Sequence, residues 1–189
     1  MLKEGLIRLG SGLQVSFMLL IPLTAMAEPI VLASAHQGWA TVVDAPELRH
    51  RNVSSSELAY RFSGSNDEGV FVSLHVSPLS QQSATKTECR MHYQPITSNI
   101  RMVDRQTIKI EELASLDTVS YDAKIEYKNK VYNMPNTHFY FMLNGHCADL
   151  HIGASPTYTN FDQVVIDIRS SIIKSSLNSQ LLLSTHMEY

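Results

Sequence analysis

His138, Tyr140, Asp149 and His151 are the residues best suited to chemistry in this chain. Two imidazoles beside a carboxylate are a donor set for Zn²⁺ or another borderline metal, and the same groups can exchange protons as acid and base. Asn144-Gly145 would bring them together, because it supplies the positive φ angles of a two-residue hairpin turn between residues 137–143 and 146–152. Counting outward pairs Leu143 with His146, Met142 with Cys147, Phe141 with Ala148, Tyr140 with Asp149, Phe139 with Leu150 and His138 with His151. One face then carries Phe139, Phe141, Leu143, Ala148, Leu150 and Ile152. The other carries His138, Tyr140, Met142, Cys147, Asp149 and His151. His138, Asp149 and His151 are the candidate metal ligands, although no His-Glu-x-x-His spacing supports them and a one-residue slip would separate them. The preferred reading is a polar stretch satisfied by solvent or by a covering helix. His75 lies in Leu74-His75-Val76 as His151 lies in Leu150-His151-Ile152, so a larger cluster forms if their strands are neighbours; similar strand patterning is the simpler account.

Cys89 and Cys147 are the two cysteines, so a single intramolecular pairing exists. Lys3 and Arg8 precede an apolar run over residues 13–24, and Ala25-Met26-Ala27 stands just before Glu28. A basic start, a short apolar middle and small residues at the cut read as a secretory signal peptide over residues 1–27. The run is shorter than the roughly 20 residues of a spanning helix and contains Pro22, which argues against an anchor. Export to an oxidising compartment, periplasmic or extracellular, favours a Cys89–Cys147 disulfide over a reactive thiol. His146 points away from Cys147, because adjacent strand residues face opposite ways. His92, three residues after Cys89 on a helix, is better placed, but oxidation consumes either thiol.

Residues 28–189 read as a single globular domain, without repeats, low-complexity segments or a linker. Short strands are expected at residues 39–43, 47–53 and 58–62. Residues 70–76 form a clearer one, with Val70, Val72, Leu74 and Val76 on one face and Phe71, Ser73 and His75 on the other. Residues 84–93 read as a helix carrying Cys89 and ended by Pro95. Residues 106–114 and 118–127 read as strands, with Asn129-Lys130 as a tight turn. From Phe161 onward, Val164, Val165, Ile168 and Ile172 recur at helical spacing. Residues 28–38 carry no assigned element. The tail from about residue 178 is read as a helix extension, a last arm or an exposed apolar segment.

A Cys89–Cys147 bond needs Cα atoms about 4.4–6.8 Å apart, which places the first helix against the hairpin face opposite the one sought by the closing helix. The expected fold class is α+β: a largely antiparallel sheet flanked by helices on both faces, an α/β/α sandwich. This order of elements resembles the Mog1/PsbP-like fold family. The residues that carry the resemblance are Trp39, the strand at residues 70–76, the hairpin through Asn144-Gly145 and the closing helix from Phe161. The likeness covers most of residues 39–177, is architectural and has no diagnostic motif. It implies a binding or assembly module and not an enzyme, with the ligand left open.

With 15 Lys+Arg against 18 Asp+Glu and a net charge of -3, the chain lacks the basic footprint of a nucleic-acid partner. Its 44% hydrophobic and 17% charged content suits a folded core and excludes a disordered chain. Lys124, Lys128 and Lys130 form the densest basic cluster, interleaved with Tyr121, Tyr127 and Tyr132. It reads as a surface for anionic headgroups or an acidic protein, or as a solvated strand edge. Gly-x-Ser-x-Gly, a Gly-rich phosphate loop, Cys-x-x-Cys and His-Glu-x-x-His are all missing, so no catalytic residue is assigned. The expectation is an exported, disulfide-stabilised, non-catalytic binding module without a cofactor, recognising a protein or an envelope component. The alternatives are a metal-dependent or acid/base enzyme built on His138, Asp149 and His151, and a membrane-surface binder acting through Lys124, Lys128 and Lys130.

Overall fold

Segment 28–34, unassigned from sequence, forms β1 (Glu28–Ser34) and pairs antiparallel with β2 (Trp39–Ala45) as a separate two-stranded sheet. This is a computed structural model of the chain that describes residues 28–79, 85–98 and 103–182. The expected signal peptide and the tail beyond Leu182 lie outside the described residues. The main sheet holds β3 (His50–Ser55), β4 (Tyr60–Ser65), β5 (Val70–Pro78), β6 (Lys109–Glu112), β7 (Asp117–Tyr127), β8 (Lys130–Leu143) and β9 (His146–Ala154). Their order is β3-β4-β5-β9-β8-β7-β6, with every neighbouring pair antiparallel. The α-helices among the described residues are α1 (Lys86–Ser98) and α2 (Phe161–Leu182).

The Asn144-Gly145 turn has φ values of 46° and 80°, and the β8–β9 register is the one counted from sequence, from Leu143–His146 to His138–His151. The turn between β7 and β8 falls one residue earlier than expected. Lys128 and Asn129 take φ values of 52° and 61°, and Tyr127 pairs with Lys130. This register sets Ile125 opposite Tyr132 and Ala123 opposite Met134. The strand expected at residues 106–114 is divided into a 3-10 turn, Arg105–Thr107, and β6; the Asp104 carboxylate accepts the Gln106 N–H and starts the turn. Helix α1 runs through Pro95 to Ser98, since a proline deletes one helical N–H bond without forbidding continuation.

On the inner face, Val72 and Leu74 of β5, Phe139 and Phe141 of β8 and Leu150 of β9 are covered by Trp39 and Val43 of β2 and by Ile168 and Ile172 of α2. The Ser171 and Ser175 hydroxyls of α2 accept the Asp44 and Val42 amides at 3.0 Å each. The edge of β2 is therefore closed by helix side chains instead of a third strand.

The helix-flanked sandwich expected from the sequence is overturned. Strands dominate, and the inner face is shared between α2 and the β1–β2 sheet. On the outer face α1 lies over β7, β8 and β9 and reaches β5 through Tyr93, which contacts Ser77 and His75, while an open groove remains over β3, β4 and the near part of β5. The physical reason is width: seven strands at about 4.8 Å spacing span roughly 29 Å, while one helix covers about 10 Å.

Candidate functional site

Cross-strand partners share a face, so the outer face can be read in rows across β4, β5, β9, β8 and β7. One row is Arg61, His75, Asp149, Tyr140 and Asp117; the next is Ser63, Ser73, His151, His138 and Val119. The histidine and aspartate residues chosen from the hairpin are therefore one part of a polar surface drawn from five strands.

At its centre, His138 Nδ1 lies 2.8 Å from Asp149 Oδ1, and its Nε2 lies 3.2 Å from the Tyr121 hydroxyl. With Nδ1–H donating to the carboxylate, Nε2 accepts from the tyrosine. His151 stacks on His138 with ring centroids 4.2 Å apart and planes inclined by 12°. His151 Nε2 meets Asn136 Oδ1 at 2.8 Å, while Asn136 Nδ2 donates to the Met134 carbonyl at 2.7 Å. That second bond orients the amide, so His151 Nε2 carries the proton.

Burial, and then the neighbouring His138, push the His151 imidazole down to about 3, so it is neutral at physiological pH. Burial, and then the Asp149 charge, push Tyr121 up to about 12. Burial also raises Tyr93 to about 12, against the hydrogen bond from Ser77. His75 is lowered by burial first and by the Arg61 charge next.

His138, Asp149 and His151 do come together, but not as a chelating set. Both nitrogens of His138 are engaged, and stacked rings direct their in-plane lone pairs side by side instead of toward one point. Among the described residues no group of three His, Cys, Asp or Glu is disposed to hold a metal ion. Tyr140 lies behind them, fully buried and stacked on His138 and Tyr93. His75 joins this surface as the cross-strand partner of Asp149 and packs on Tyr93.

Helix α1 closes one end of the face. Cys89 and Cys147 are paired as a disulfide with Cα atoms 5.3 Å apart, and both are fully buried. Tyr93 hydrogen-bonds Ser77 at 2.7 Å. The fully buried Asp117 carboxylate receives Lys86, Arg90 at 3.1 Å and Thr87 at 3.2 Å. At the other end the face is open, forming a groove of about 460 Å³ over β3, β4 and β5 that includes Asn52, Ser54, Arg61 and His75.

The lysines expected to form a basic patch are divided. Lys124 is tied to Asp104 at 2.8 Å, whereas Lys128 sits 5.1 Å from the Tyr127 ring centre at the β7–β8 tip and Lys130 pairs across the turn. Sequence reading missed Arg61, Asp117 and Asn136 as members of this surface. Period-two alternation places each on a definite face of its strand, but nothing local indicates which strands lie alongside.

No family model matches the chain, and no curated protein matches it. Among solved structures it is similar to LpqN, described as involved in cell envelope biogenesis of Mycobacterium tuberculosis, at 10% identity over 78% of this chain and 87% of that chain, with a TM-score of 0.41. This is a loose likeness of fold, from which no function follows. It does not establish the Mog1/PsbP-like family suggested by the element order.

Proposed function

We propose that the chain is a non-catalytic binding module that works outside the cytosol and receives a protein or an envelope component on the open part of its outer sheet face. The observation that carries this reading is a division of the face. Its acid–base groups, His138, Asp149, His151 and Tyr121, are turned into one another, while an open polar groove lies beside them. The buried Cys89–Cys147 pair supports the exported setting. A photo-crosslinking residue at Ser54, in the groove, tests the reading against one at Lys174, on the exposed side of α2. A discrete adduct at position 54 that is missing at 174 and lost with Arg61→Ala is expected. Equal adducts at both positions would refute it.

One observation favours a membrane-surface reading. Beyond Ser120 and Asn136, where pairing with β6 and β9 ends, the β7–β8 ribbon continues to a tip carrying exposed Tyr127 and Val131 beside Lys128 and Lys130. Aromatic and basic side chains together suit an anionic headgroup layer. Co-sedimentation with anionic vesicles at low salt, lost at high salt, is the expected result. No pelleting at low salt would end this reading.

A further inference from the structure

We propose that the groove over β3, β4 and β5 is a site for a small, hydroxylated ligand bearing an oxyanion, an acidic sugar or a sugar phosphate, gripped by Arg61. The inference rests on the reading of the outer face as the binding face. Arg49, Arg51, Arg90 and Arg169 each meet a carboxylate. Arg61 and Arg105 meet none among the described residues, and of the two it is Arg61 that lines the groove, with its side chain exposed. Its cross-strand partners are Ser54 on β3 and His75 on β5. Asn52, Ser63 and Ser73 form the adjoining row.

No carboxylate lines this groove, so nothing in it attracts a cation or neutralises the guanidinium. Asp149 lies one strand beyond His75 and is held by His138. Phe62 and Leu74 also line the groove, but their side chains belong to the buried core, so they present backbone as its floor.

The donor set is specific. A guanidinium offers two parallel N–H groups that match a carboxylate or phosphate edge. Four serine and asparagine side chains both donate and accept, as sugar hydroxyls do. His75, held low by burial and Arg61, adds one donor and one acceptor as a neutral ring and brings no second positive charge. A volume of about 460 Å³ is within the range of small-ligand sites and suits a monosaccharide or a short oligosaccharide.

The test is a ¹⁵N NMR titration of the protein isolated with its disulfide intact, using galacturonic acid, glucose 1-phosphate and neutral galactose. Saturable shifts at the Ser54, Ser63 and Ser73 amides are expected with one or both anions and not with galactose at the same concentration. A response to galacturonic acid alone assigns the carboxylate, and one to glucose 1-phosphate alone assigns the phosphate. Arg61→Gln should weaken binding roughly tenfold or more, as loss of a charge-assisted paired contact requires. Arg61 is exposed, and unchanged α1 amide shifts will verify the fold of the variant. No saturable shift with either anion at millimolar concentration, equal shifts with galactose, or shifts that persist in Arg61→Gln would overturn the anion site. Crosslinking at Ser54 that survives such a result would leave the binding-module reading standing without it.

Discussion

Replacing Cys89 and Cys147 together by alanine removes a crosslink between residues separated by 58 positions. In the chain-entropy treatment a loop of that length stabilises the fold by about 4 kcal/mol at 25 °C, because the crosslinked unfolded chain has fewer conformations to lose. Both sulfurs are fully buried where α1 meets β8 and β9, so the cavities left by truncation add a loss of the same sign. At about 2–4 °C per kcal/mol for a domain of this size, the melting temperature should fall by roughly 8–16 °C. The loss should also be local. Without the crosslink, α1 is still held by the Asp117 ion pairs and the Tyr93–Ser77 hydrogen bond, so its amides should lose exchange protection well before those of β5 and β9. Urea unfolding of the native protein, the reduced protein and the alanine pair measures the magnitude, and hydrogen exchange measures the location. A difference below about 1 kcal/mol, or α1 amides as protected as before, would refute the claim that this bond holds the helix on the sheet.

Asp117→Ala should cost about 3–5 kcal/mol in urea unfolding, since it leaves Lys86 and Arg90 facing a buried site without their carboxylate. Ser171→Ala should cost about 1–3 kcal/mol, because the Asp44 amide on the edge of β2 loses its acceptor. His151 is lowered in the folded protein to about 3, below its unfolded value, so the unfolded chain takes up the extra proton; its contribution to stability is whole above about pH 6.5 and is lost as pH falls toward about 3. Urea midpoints should therefore drop between pH 7 and pH 4, less so in His151→Asn, and the His151 ring proton should not titrate by NMR above pH 4.

Much of the central cluster was legible because its geometry is local. Two positive φ angles at Asn144 and Gly145 admit one tight pairing, and alternation then places His138 against His151 and Tyr140 against Asp149. Export-type residues ahead of Glu28 point to an oxidising setting, in which two cysteines leave one pairing, Cys89 with Cys147, and the structure pairs them. The ligand geometry was not legible in the same way. Whether two imidazoles on one face converge or stack depends on side-chain rotation and on Tyr121 and Asn136, which arrive from β7 and the far end of β8.

Local pattern by itself determined the hairpin register, the apolar stripe of α2 and the face on which each strand residue stands, because turns and alternation act over a few residues. Tertiary structure alone decided that β1 would draw β2 out of the main sheet, that α1 would cover only one end of the outer face, and that Arg61 would be left without a carboxylate beside Ser54 and His75. Lateral strand order follows from burying apolar faces contributed by distant segments, and no short stretch of sequence contains that information.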